Sequence, residues 1–394
     1  MKRGIAVAAV LATGCLSVPP YQPEALVSYT ETGTGGTAAG PGFALHFADG
    51  AGFHFPDALM IDGVDVMGHE PMPGCSMEDE VGFLISPTPR ISAHGDAPPV
   101  TNRLVPVLRG PAVVKVKLEW ETRFACNLDH TPGGTATFTV FPDGRIVRYD
   151  TIVAPSSPSL SASDCRCDDG GVDFAVSTFW TLARASFQQL YAPDPRALPV
   201  LMDPVIANQA TSCIDGGAYQ VAFAWRDSLG TTIRGGDKVI GFGRDLMVHS
   251  SILENIPWED RSAIFIDHAG CTAATIARAE EYVTPSHLFI NKGIENKDIE
   301  VSPSRDGIYG GGEDGDYVQP GVPVSGRVEL TGTVKSSFAV WLRFPRSVDA
   351  LHATRNGDVV QGPWYLPQRV DDRSWIMWFR EPLSATQKIT IDPS

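Results

Sequence analysis

The sequence predicts an all-β fold: a large antiparallel β-sandwich, built as a supersandwich if the sheets extend, with a smaller C-terminal β module and at most one short helix. Three observations lead there. Apolar and polar residues alternate with period two over most of the chain, as in Val114, Val116, Leu118 and Trp120 against Lys115, Lys117, Glu119 and Glu121, the signature of strands with one buried face. Turn-forming residues, 39 Gly and 31 Pro among 394, punctuate these segments every ten or so positions, as in sandwiches. Helical periodicity is confined to one short stretch.

Taken in order, strands are expected at 43–47 and 53–60, and then at 113–121. A hairpin follows, in which Thr135 to Phe141 leads through Pro142-Asp143-Gly144 into Arg145 to Tyr149. Proline pre-sets φ for such a turn, aspartate bonds back to the chain and glycine takes the left-handed position. Further strands fit 172–182, 218–226, 238–248, 262–267, 287–291, 324–334, 337–344 and 374–380. The helix is Thr272 to Tyr282, with Ala273, Ala274, Ile276, Ala277 and Ala279. No fixed-period repeat is visible, which argues against a propeller or β-helix.

Composition sets limits on function. The formal charge is −15, which argues against a nucleic-acid binder, whose affinity rests on neutralising phosphates. After the first 14 residues no apolar run reaches the ~20 residues of a transmembrane helix. The apolar share of 43 % is that of a globular chain.

The N-terminus is a targeting segment. Met1-Lys2-Arg3 precedes an apolar stretch from Gly4 to Gly14 and then Cys15, the layout of a secretory signal. Ala12-Thr13-Gly14-Cys15 resembles the lipobox of bacterial lipoproteins, with Ala12 where that family usually has Leu and Leu11 one place earlier. The resemblance implies cleavage before Cys15, its lipidation, and export to the cell envelope. Leu16 after the Cys, in place of the Asp of retained lipoproteins, implies the outer membrane. Losing Lys2 and Arg3 takes the charge to −17, so lipid rather than a basic patch must hold the chain at the membrane.

With Cys15 lipidated, six cysteines remain: Cys75, Cys126, Cys165, Cys167, Cys213 and Cys271. In an exported chain an even number reads as disulfides, up to three, in any of 15 connectivities. Cys165 and Cys167 are too close to pair comfortably with each other. Neither a C-x₂-C nor an H-x₃-H spacing supports zinc.

Residues 1–14 are thus the signal peptide and 15–41, rich in Pro, Gly and Thr, a flexible tether. Residues 42–302 form the main sandwich, and 303–394 an acidic Gly-rich loop followed by the C-terminal module with Trp341, Trp364, Trp375 and Trp378. Gly110-Pro111-Ala112-Val113-Val114-Lys115-Val116 with the Phe-Pro-Asp-Gly-Arg hairpin resembles the large β-sandwiches of galactose-mutarotase-like and polysaccharide-lyase proteins. That resemblance concerns the fold; none of those families' catalytic residues can be placed here.

Candidate chemistry is sparse. In Asp306-Gly307-Ile308-Tyr309-Gly310-Gly311-Gly312-Glu313-Asp314-Gly315-Asp316, four carboxylates among glycines offer a Ca²⁺ site; a solvated surface loop is the plainer reading, and no cofactor is required. Its G-x-G-x-x-G lacks a following helix and would repel a pyrophosphate. The acidic group around Cys165 and Cys167 (Asp164, Asp168, Asp169, Asp173) reads as a pinned loop. His46 and His54 flank an expected turn at Ala48-Asp49-Gly50, and Asp267-His268 ends an apolar strand where a carboxylate-oriented imidazole is a candidate base. No nucleophile elbow occurs. Trp364, Trp375 and Trp378 are candidates for stacking on sugar rings. Trp375 and Met377 share one strand face, Ile376 and Trp378 the other.

The sequence thus reads as an exported, lipid-anchored β-sandwich with a binding or structural role at the cell envelope, carbohydrate being the favoured ligand. The rival is a polysaccharide-active enzyme, a lyase or glycoside hydrolase on a supersandwich scaffold. At −17 the chain favours neutral ligands unless a local basic group overcomes its field.

Overall fold

The computed structural model describes residues 26–47, 56–68, 90–92, 99–122, 133–153, 175–191, 198–199, 211–226, 238–242, 245–253, 258–268, 270–291, 298–310, 321–358 and 364–394. Within these residues the fold is all-β, with antiparallel pairing throughout save two short parallel pairs on strand Phe338–Arg343. The helix is Ala273–Val283.

A nine-stranded sheet is the central layer. Its order is Leu198–Pro199, Gln189–Tyr191, Thr211–Asp215, Gln220–Arg226, Trp258–Asp267, Arg145–Val153, Gly133–Val140, Val114–Thr122 and Pro99–Arg109. Alternation divides its side chains between two cores. Val114, Val116, Phe138, Ile146, Val221, Phe223 and Ile264 face a five-stranded sheet built from residues 28–65. Val147, Ala222, Ala224, Ala263, Phe265 and Cys213 face the opposite way. The alanines there leave space for the helix, which seats Ala279 and Tyr282 in that second core.

Beyond the second core lies a two-sheet module. One sheet runs Asp298–Val301, Leu288–Asn291, Val328–Gly332, Ile389–Pro393 and Leu351–Arg355, so its pairing reaches across residue 303. The other contains Phe338–Arg343, Ser374–Phe379 and Tyr365–Arg369. Trp375 and Met377 enter the module's own core, while Ile376 and Trp378 pack toward the nine-stranded sheet. The alternation expected for this strand is present, but both of its faces are buried because it lies in a middle layer. A continuous apolar run is the mark of such a strand.

One expectation is overturned. Ser28–Thr32 and Gly35–Gly40 were expected within a flexible tether, yet they form two strands of the five-stranded sheet. Their glycines serve packing rather than flexibility: a Cβ on Gly36 would collide with the Tyr29 hydroxyl. Val27 and Tyr29 are buried, and the Val27 amide bonds to the Pro111 carbonyl at 3.1 Å. The two strands form a tight hairpin whose Gly, Thr and Ala content resembles that of a linker.

Candidate functional site

A cleft opens at the seam between the nine-stranded sheet, the helix and the C-terminal module. It is lined by Arg145, Arg278, Glu281, Tyr282, Tyr309 and Ser337, among others. Each wall follows from local sequence. Arg145 begins the strand after the Pro142-Asp143-Gly144 turn, and its amide donates to Asp143 Oδ1 at 3.3 Å. Gly144, at φ +80°, lies so close to the next strand that a Cβ would sit 2.5 Å from the Ile266 carbonyl oxygen. This contact aims the first residue of the strand at the helix. The helix is capped by Thr272, whose hydroxyl oxygen accepts from the Thr275 amide at 3.3 Å, and it is tied to strand Thr211–Asp215 by the Cys213–Cys271 disulfide.

Most polar groups here are satisfied. Arg278 reaches the Asp143 carbonyl at 2.6 Å, the Asp143 carboxylate at 3.4 Å and Asp267 at 3.4 Å. The Ser337 hydroxyl also donates to Asp143. Burial would raise the Asp143 pKa, but Arg145, Arg278, the Ser337 hydroxyl and the Arg145 amide outweigh it and hold the carboxyl below its usual range. Glu281 accepts from the Ser286 amide and hydroxyl at 2.8 and 2.9 Å. The hydroxyl groups of Tyr309 and Tyr282 donate to the carbonyls of Ser286 (3.1 Å) and Ser262 (3.4 Å). Arg145 differs: 7 % exposed, it stacks at 3.9 Å over the Phe141 ring, and its Nε and Nη2 are buried with no partner among the described residues. Burial pulls its pKa down, with Asp143 opposing.

A second charged group is closed off in the core. Arg148 Nε and Nη2 grip Asp150 at 2.6 and 3.1 Å, beneath Phe138 and Trp180. With side chains 0 and 1 % exposed, the pair orders the interior and meets no ligand.

The candidates named from sequence are placed as follows. Cys213 and Cys271 form a disulfide. His46 Nδ1 lies 2.6 Å from Asp57 across a strand pair. The imidazole of His268 meets Asp62 at 2.9 Å, rather than Asp267, which accepts from the His268 amide and from Thr275. The carboxylate beside this imidazole comes from 206 residues away, beyond the reach of sequence adjacency. Asp306, a candidate Ca²⁺ ligand, is instead bonded to Lys115 at 2.7 Å, the Ser304 hydroxyl and the Ile308 amide. No group of metal-ligating side chains occurs among the described residues. Trp364, Trp375 and Trp378 are 4, 6 and 2 % exposed, so their rings pack in the interior rather than offering a face to a sugar. Cys15, Cys75, Cys126, Cys165, Cys167, His54, Glu313, Asp314 and Asp316 lie outside the described residues. Sequence reading passed over Arg145 as a hairpin residue; its isolation follows from the helix and Ser337, distant in the chain.

No protein-family model and no curated protein sequence matches this chain. Among solved structures it is similar to a heparinase III, at 9 % identity and TM-score 0.36, over 78 % of this chain and 38 % of that one. It is also similar to galactose 1-epimerase from Lactobacillus acidophilus NCFM, at 11 % identity and TM-score 0.32, over 61 % and 97 % of the two chains. A third is heparan sulfate lyase HepC from Pedobacter heparinus, at 9 % identity and TM-score 0.30, over 75 % and 38 %. The chain therefore spans about 38 % of the lyases it resembles. At these scores and identities the likenesses carry no argument.

Proposed function

We propose that the chain is an exported, lipid-anchored β-sandwich protein of the bacterial outer membrane that binds a ligand, carbohydrate being the ligand class, at the seam between its nine-stranded sheet and C-terminal module. The observation that carries the binding role is the convergence of Arg145, Arg278, Tyr282, Tyr309, Ser336 and Ser337 on one cleft. Concave sites with a few convergent polar groups and shifted pKa values are where ligands are held. The Cys213–Cys271 bond supports export, since such bonds persist in oxidising compartments. Binding is favoured over catalysis because, among the described residues, the Tyr282 and Tyr309 hydroxyls donate to backbone carbonyls, Glu281 is held by Ser286 and Asp143 by Arg278 and Ser337.

Two experiments test this. Cys15→Ser should move the protein from the membrane fraction to the soluble fraction; retention in the membrane refutes the anchor. Screening the intact mature chain on an array of neutral and acidic oligosaccharides should return a small related set. Turnover of a polysaccharide on incubation would instead favour the lyase or hydrolase reading.

A further inference from the structure

The two unpartnered atoms of Arg145 are Nε and Nη2, and that pair has a chemical meaning. They form one edge of the guanidinium, whose parallel N–H groups match the two oxygens of a carboxylate. The same edge is used twice elsewhere in this chain. Arg148 holds Asp150 through it at 2.6 and 3.1 Å, and Arg327 holds Asp392 through it at 2.6 and 3.3 Å. Arg145 lines the cleft, and this edge is buried with no carboxylate of the described residues gripping it.

The neighbours leave that role open. Asp143 and Asp267 are engaged by Arg278, and Glu281 by Ser286. Stacking on Phe141 at 3.9 Å fixes the plane of the guanidinium, so little freedom is lost on binding. The cleft measures about 20 Å³, and a water needs about 10–15 Å³ of such space. It therefore takes one small group of a ligand whose remainder lies outside the cleft.

We propose that the Arg145 edge is a receptor for a single carboxylate group, either of a free small acid or projecting from a larger ligand such as a uronate-bearing glycan. The inference rests on the reading of the seam cleft as a ligand site. The net charge of −15 opposes the approach of such ligands, but over more than about 8 Å it is screened at physiological salt. Binding should therefore strengthen from low to moderate ionic strength.

The test is a calorimetric titration of the intact mature chain with sodium formate, with a trigalacturonate and with a neutral galactose trisaccharide. Arg145→Gln should weaken binding of the carboxylate probes about 10- to 100-fold, as expected for a bidentate charge-assisted contact. Arg145→Lys, which keeps the charge but not the edge, should fall between. If Arg145→Gln fails to fold, Ser336→Leu, which fills the cleft and leaves Arg145 in place, should abolish binding with the fold verified by circular dichroism. Saturable binding of the trigalacturonate and not the neutral sugar supports the site on a glycan. Formate binding without trigalacturonate binding supports the carboxylate site with a free acid as its source, and overturns the carbohydrate reading. Trigalacturonate binding unchanged by Arg145→Gln keeps the carbohydrate reading and overturns this site. No saturable binding of either carboxylate overturns it too.

Discussion

The ion pair of Lys115 with Asp306 gives the sharpest test of how the C-terminal module is held to the nine-stranded sheet. The two residues are 191 apart in sequence, meet at 2.7 Å, and are 15 and 11 % exposed. In Lys115→Met the Asp306 carboxylate keeps only the Ser304 hydroxyl and the Ile308 amide. Removing one partner of a buried pair costs about 3–5 kcal/mol, and the remaining exposure places this pair near the lower end, about 3 kcal/mol. The double variant Lys115→Met with Asp306→Leu should regain most of that loss, because apolar packing can replace a buried pair. The sign with pH follows from the carboxyl. Burial raises the Asp306 pKa, but Lys115, Ser304 and the Ile308 amide outweigh it and set the folded value below normal. Its contribution is therefore complete above an unfolded pKa of about 3.9 and is lost as pH falls through the folded value. In Lys115→Met burial dominates, so the deficit should be largest at neutral pH and narrow on acidification. Urea unfolding followed by tryptophan fluorescence, at constant m-value, measures it. A loss below about 1 kcal/mol, or a deficit unchanged between neutral and acid pH, refutes the reasoning.

Three further outcomes are expected. Gln368→Leu removes the oxygen that accepts from the amides of Ala112 (3.0 Å) and Val113 (2.7 Å); two stranded buried N–H groups cost about 2–4 kcal/mol in urea unfolding, and Gln368→Glu should cost less. Cys213→Ala with Cys271→Ala opens a loop with a sequence separation of 58, a loss of about 4 kcal/mol by the loop-entropy relation; free-thiol titration of the unreduced, denatured protein should find neither cysteine reactive before the change. Gly144→Ala places a methyl against the Ile266 carbonyl at positive φ, and should lower the melting temperature by several degrees.

Much of the fold is legible in the chain because its cause is local. The 135–149 hairpin is written in alternation plus a Pro-Asp-Gly turn, and the helix in its alanine spacing. What escaped is non-local. The Gly- and Thr-rich hairpin at 28–40 looks like a linker until Val27, just before it, is seen bonded to Pro111. Asp306 looks like a surface acid until Lys115 reaches it. The indoles of Trp364, Trp375 and Trp378 look like a sugar platform until sheets cover them on both sides. Arg145 looks like a turn-flanking cation, and only the assembled seam shows that the edge of its guanidinium has no partner among the described residues.

Ligand-observed saturation-transfer NMR decides whether the seam holds a ligand. The intact mature chain and its Ser336→Leu variant would each be recorded against neutral and acidic oligosaccharides. Transfer to a carbohydrate is expected in the wild-type chain, with its loss in the variant at unchanged circular dichroism. Transfer of equal strength in both proteins, or to no carbohydrate in either, would contradict a ligand site at the seam.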